Sequence, residues 1–176
     1  MRPEPRIRLR RLALGGLLVW TGLATARPAL AEGVTKIQRS IAFASGSDVP
    51  AAVKDQCALE TKVPDFIKQF AGEGVQVVDG ALDPRKGRTL RMEITEVHAP
   101  PGGAFSGPKW MTVKGELFEN GKSVGSFRAK RFSTGGAFGG FKGTCSIIGR
   151  CTKAIGQDIA TWLKSPTRDA ELGDAR

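Results

Sequence analysis

Residues 133–163 read STGGAFGGFKGTCSIIGRCTKAIGQDIATWL, and this stretch decides the architecture. A glycine-rich loop runs into a segment with Ile148, Cys151, Ile155, Ile159 and Trp162 on one stripe. Ile147 and Leu163 lie beside the stripe, while Lys153, Gln157, Asp158 and Lys164 fall elsewhere. That spacing predicts an amphipathic helix. Gly149 and Gly156 lie inside it, at roughly 1 kcal/mol each relative to alanine, so close packing is expected to compensate.

Upstream, the period changes to two. Residues 89–97 place Leu90, Met92 and Ile94 on one side and Arg91, Glu93 and Thr95 on the other, as in a strand with one wet face. Residues 109–119 carry Met111, Val113 and Leu117, and residues 122–132 carry Val124, Phe127 and Ala129. Asn120-Gly121 between them predicts a tight hairpin, because both residues tolerate positive φ. Residues 99–108 read as a long glycine- and proline-rich hairpin loop.

Residues 33–44 predict a first strand through Ile37, Ile41 and Phe43, and residues 75–78 a short strand or extended edge. Between them Val53, Cys57, Val63, Phe66, Ile67 and Phe70 have near-helical spacing, with Asp48 as the helix cap. Pro64 predicts a kink, or a second helix starting near it. The whole predicts an α+β fold: a small mixed, mostly antiparallel sheet of about four strands with two helices on one face, in the order β-α-β-β-β-α. One domain is expected over residues 32–165, with a disordered tail over 166–176.

The first 31 residues read as a cleaved signal peptide. An arginine-rich start precedes an apolar run over 12–26, and Ala29-Leu30-Ala31 is a small-x-small cleavage site. The run is shorter than the roughly 20 residues that span a bilayer. The mature chain is therefore expected to lack a transmembrane anchor and to work in a bacterial periplasm or outside the cell. The whole chain has a net charge of +10; removing six arginines and Glu4 with the signal leaves a net of +5. So mild an excess argues against nucleic acid as a partner and fits an anionic envelope component.

Cys57, Cys145 and Cys151 then enter an oxidising compartment, where a disulfide is the default. Both helices start at the same end of the sheet in the expected topology. This pairs Cys57 with Cys145 or Cys151. The alternative is a local Cys145–Cys151 bridge, which an ordinary helix would hold too far open. The Cys-x5-Cys spacing with one distant histidine is a poor zinc site, and no metal or cofactor is expected.

Strand 89–97, a loop rich in small residues, strand 111–117, Glu119-Asn-Gly-Lys122, strand 127–132, the Gly-Gly-x-x-Gly-Gly run and the closing helix ending at Leu163 resemble a group of small bacterial envelope domains of unknown function, many of lipoprotein type. The layout is similar to the amino-terminal domain of TolB and to accessory lipoproteins of envelope transport systems. The resemblance implies an envelope α+β domain and brings no catalytic residues. The chain departs from the lipoprotein pattern in lacking an acceptor cysteine after the cleavage site.

Two constellations point to binding. Gly139, Gly140 and Gly143 before a helix start, with Lys142 and Arg150, have the composition of an anion site, although the spelling is not that of a P-loop. Phe105, Trp110, Phe138 and Phe141 stand in or beside glycine-rich loops, where aromatic rings either form a contact patch or complete the core. His98 beside Glu96, and the acids Asp79, Asp83 and Glu93, have no spacing that defines a catalytic set. The expected function is that of a non-catalytic exported envelope protein that binds another envelope component. The alternative is a binder of an anionic small molecule, lipid headgroup or glycan at the glycine loop; a hydrolase ranks third.

Overall fold

In the computed structural model, residues 33–47, 49–136 and 139–175 are described. The signal segment, the Asp48 cap and Phe138 lie outside them. The elements in chain order are β1 (Thr35–Gln38), β2 (Ala42–Phe43), α1 (Ala51–Cys57), α2 (Leu59–Ala71), β3 (Val75–Val78), β4 (Arg88–His98), β5 (Lys109–Glu119), β6 (Lys122–Ser133), α3 (Thr144–Trp162) and β7 (Ala170–Gly173). Among the described residues the fold is α+β, with three helices and a mixed sheet of seven strands where about four strands and two helices were expected. The sheet order is β3-β1-β4-β5-β6-β7, with β2 also paired to β4.

The centre is the antiparallel β4-β5-β6 meander. Its β5–β6 turn is the expected Asn120-Gly121, with φ of 48° and 88°. The additional strands come from three places. The first segment breaks into β1 and β2, both parallel to β4. β3 pairs parallel with β1 at one edge, and β7 pairs parallel with β6 at the other. The tail expected to be disordered is therefore ordered through Asp174. Ala170 and Leu172 pack against the core, Ser126 N–H donates to the Thr167 carbonyl (3.1 Å), Asp174 N–H to the Lys130 carbonyl (2.8 Å), and Arg131 reaches Asp174 (3.3 Å).

The helical segment breaks at Ala58, whose φ of 50° and ψ of 46° are left-handed, and α2 starts there, well before Pro64. Pro64 sits buried inside α2. Lacking an amide, it leaves the Glu60 carbonyl without its intrahelical donor. Ile41 N–H, in the link between β1 and β2, donates to that carbonyl instead (3.1 Å). One proline thus frees the carbonyl that attaches the β1–β2 link to α2.

Buried residues of all three helices and of β1, β4, β5 and β6 form one apolar cluster. Gly156 marks a close helix–helix seam: a β-carbon there would lie 2.5 Å from Phe66 Cβ and 3.2 Å from the Ile67 amide of α2. This is the compensation expected for a mid-helix glycine. Gly149 has no neighbour within 4 Å and no such role. A disulfide joins Cys57, the last residue of α1, to Cys145 in the first turn of α3, across 88 residues. Cys151 is free and buried, and burial pushes its thiol pKa up to about 12. Among the described residues no helix is long and apolar enough to cross a membrane.

Candidate functional site

The strand alternation of β4 does not survive to its end. Leu90, Met92 and Ile94 are buried, and strict alternation would send Glu96 inward after them. A register shift between Ile94 and Glu96 inserts one residue, Thr95. Val97 then turns into the core, and Glu96 and His98 turn outward beside β5. His98 stacks on Trp110 with ring centroids 3.7 Å apart and planes 12° apart. The Trp110 indole N–H donates to Glu96 Oε1 (2.7 Å), the Thr112 hydroxyl donates to Glu96 Oε2 (2.9 Å), and Lys130 lies 3.7 Å from the same oxygen. The bond from Trp110, with help from Thr112 and Lys130, holds the Glu96 carboxyl below its ordinary value against the opposing effect of burial. His98 and Glu96 are thus parts of a polar brace that orients Trp110.

The brace ends where β5 begins, at a fully buried lysine. Lys109 has no exposed surface, and its ammonium donates to Gly103 O (2.7 Å), Ser106 Oγ (2.8 Å) and Gly107 O (2.8 Å). Those acceptors belong to, or follow, a 3-10 turn over Gly103–Ser106. Burial lowers the Lys109 pKa. All three ammonium protons have partners, so the charge is compensated locally and the turn is wrapped around it.

This turn packs against the glycine loop. Gly103 N–H donates to Thr144 Oγ1 (3.2 Å), and the Thr144 hydroxyl donates to the Pro100 carbonyl (3.1 Å). A β-carbon on Gly103, whose φ is 60°, would collide with the Lys142 carbonyl. Gly139 and Gly140 form a second 3-10 turn with Phe141, and Gly143 caps α3. Lys142 Nζ (2.9 Å) and Arg150 Nη1 both donate to the Gly135 carbonyl. The five residues expected to form an anion site are therefore brought together, with both cations engaged in closing the loop on itself.

The aromatic candidates divide. Trp110 is half-buried in its brace, whereas Phe105 and Phe141 are 90% and 92% exposed. Phe105 and Phe141 stand on the two adjoining turns; Phe105 Cζ lies 3.9 Å from where a Gly140 β-carbon would be. Phe132, 61% exposed, is at the same end of the sheet, in register with Trp110. The fourth large exposed apolar residue described, Val34, precedes β1 at the opposite end. Lys109 and the Glu96 brace were the residues that sequence reasoning missed. Their only trace was parity: Lys109 is in phase with Met111 and Val113, and Val97 is out of phase with Ile94.

A groove of about 860 Å³ on the outer face of the sheet is lined by Arg91, Glu93, Lys114, Glu116, Arg128 and Glu171, among others. Arg91 is opposite Glu116, Glu93 opposite Lys114, and Arg128 opposite Glu171. These cross-strand charges neutralise one another. A smaller cleft lies between α3 and β7 around the Arg131–Asp158 ion pair (2.7 Å). Among the described residues no cluster of histidine, cysteine and acidic side chains could hold a metal ion.

The fold and the end just described define a small α+β domain that presents exposed aromatic rings on braced turns. Compared by sequence, the chain matches no family model and no curated protein. Among solved structures it is similar to the PelC dodecamer from Paraburkholderia phytofirmans, with 20% identity, a TM-score of 0.44, and coverage of 76% of this chain and 93% of that one. A substituted form of the same protein gives 18% identity and a TM-score of 0.43, covering 74% and 88%. At these levels the likeness assigns no function.

Proposed function

We propose that this chain is a non-catalytic exported envelope protein that docks on another envelope component through the turn pair carrying Phe105 and Phe141. The observation that carries the reading is the exposure of both rings, 90% and 92%, on turns that the fold clamps from beneath. Exposed rings on floppy loops would lose much of their contact energy to ordering; rings on braced turns lose less. The signal-like first 31 residues and the resemblance of the sequence to envelope domains support the location.

The test is site-specific photo-crosslinking in cells, with the reactive residue placed at 105, at 141 or at the exposed hairpin position 122. Adducts with an envelope component from 105 and 141, and none from 122, are expected. Equal adducts from all three positions, or adducts only from 122, would remove the turn pair as the contact.

A further inference from the structure

We infer that the Cys57–Cys145 bond is a redox switch for the turn pair: the oxidised protein holds the Phe141 turn and the start of α3 in place, and the reduced protein releases them. What the switch controls, docking, rests on the reading above. Two observations carry the inference. The first is the way α3 begins. The first amides of a helix need partners from outside it. Gly143, the residue before α3, provides no side-chain cap, and the first turn holds no acid. The Thr144 hydroxyl is engaged outside the helix, with the Pro100 carbonyl (3.1 Å) and the Gly103 N–H (3.2 Å). The core takes full hold of α3 at Ile147 and Ile148, both completely buried, whereas Thr144 and Cys145 are half-buried and Ser146 is exposed. Gly139, Gly140 and Gly143 precede this start, and glycine has the most backbone freedom to regain. Between that loop and Ile147 the sulfur bond is the covalent anchor.

The second observation is what the bond connects. α1 has seven residues, too few for a helix to persist alone, and Val53 and Cys57 are its buried residues. The Lys62 ammonium of α2 donates to the Cys57 carbonyl (2.8 Å), which ties the end of α1 to α2. The sulfur bond carries that fixed point across to Cys145. From there the hold passes to the neighbouring Thr144 and, through its two bonds, to Pro100 and Gly103 at the Phe105 turn. The Phe105 turn also has the Lys109 clamp, which the sulfur bond does not touch. Opening the bond therefore frees the Phe141 turn most and the Phe105 turn less.

The bond is open to exchange with a dithiol. Cys57 is 1% exposed, but Cys145 is half-buried and is the side that a reagent meets. A thiolate of the dithiol attacks Cys145 Sγ, and Cys57 Sγ leaves with the bonding pair and takes up a proton. The second thiolate of the reagent then displaces Cys145 Sγ, which is protonated in turn. The protein gains two electrons and two protons, and the dithiol becomes a cyclic disulfide. Cys151, free and buried in the part of α3 that the core holds, takes no part.

The experiment is hydrogen exchange read by mass spectrometry on the full chain, oxidised and after reduction with dithiothreitol, with the C57S/C145S variant beside it. Exchange should quicken at least about tenfold over residues 51–58 and 139–146, less over 100–108, and not over the 109–133 hairpin. The variant should match the reduced protein, which separates the bond from any effect of the reagent. Unchanged exchange over 139–146 overturns the inference, because the bond then holds nothing locally. Equal quickening over the whole chain also overturns it, because the bond then stabilises the fold as one unit. The photo-crosslinks from 105 and 141 are repeated in C57S/C145S, where the adduct from 141 should fall more than that from 105. Equal adducts in both proteins overturn the switch as a control on docking. If exchange follows the expectation and neither protein gives adducts, the docking reading falls and the switch stands. If the oxidised protein gives adducts and exchange does not change on reduction, the switch falls and the docking reading stands.

Discussion

Gly156 in α3 and Gly103 in the first 3-10 turn both occupy places where a β-carbon would strike a neighbour, yet the neighbours are of different kinds. At Gly156 the space goes to Phe66 and the backbone of α2, and the gain is apolar contact between two helices. At Gly103 the space goes to the Lys142 carbonyl, and the gain is polar: the turn can close over the Lys109 ammonium and bond to Thr144. The helical layer is held by burial. The aromatic end has spent its rings outward and is held by a buried cation and carbonyl oxygens. An end that must expose phenylalanine cannot use those side chains for its own stability, so another interaction has to shape it.

The contrast can be broken at its strongest point first. The Cys57–Cys145 bond spans 88 residues and ties the base of the aromatic end to α1. Its removal by C57A/C145A should cost about 4.6 kcal/mol on the chain-entropy estimate. Denaturant titration of the variant against the oxidised protein measures this, and a loss below about 1 kcal/mol would mean that the denatured chain gains little freedom. Next in size is Lys109→Met, which removes three hydrogen bonds from the turn. It should cost about 2–3 kcal/mol and open residues 100–108 to limited proteolysis. Unchanged proteolysis would show that Lys109 does not hold the turn.

The two glycines of α3 sharpen the comparison within a single helix. Gly156→Ala should destabilise by about 1–2 kcal/mol, because overpacking against Phe66 outweighs the gain in helix propensity. Gly149→Ala meets no neighbour within 4 Å and should stabilise by about 1 kcal/mol. Equal signs for the two would sink the close-packing account. The smallest expected effect is electrostatic. The Glu96 carboxyl is held below its ordinary 4.5, so its contribution is present above about pH 4.5 and is lost as pH falls through the lowered value. Glu96→Gln should therefore flatten the fall of Tm with pH below 4.5, which thermal melts across that range will measure.

Period and turn chemistry carried much of the fold in plain view. The β4-β5-β6 meander follows from alternating residues around Asn120-Gly121, because hairpin pairing is local and the turn residues specify it. The stripe of Ile148, Cys151, Ile155, Ile159 and Trp162 marks α3, and all five residues are buried. The expected placement of Cys57 near the start of α3 also holds, and tertiary geometry selects Cys145 over Cys151. The aromatic candidates were legible as a group, but their division into a braced Trp110 and outward Phe105 and Phe141 was not.

What the sequence determined by itself was therefore local: which segments pair as a hairpin, which stripe is apolar, and which residues stand on glycine-rich turns. Tertiary structure alone decided the bulge at Thr95, the break at Ala58, the binding of the tail as β7, and the burial of Lys109. Three of these involve a partner far along the chain: Trp110 and Thr112 for Glu96, Ile41 for the carbonyl opposite Pro64, and Lys130 and Arg131 for Asp174. A polar side chain or a free carbonyl has no periodic signature. Its place is set by whichever donor or acceptor the rest of the fold brings within about 3 Å.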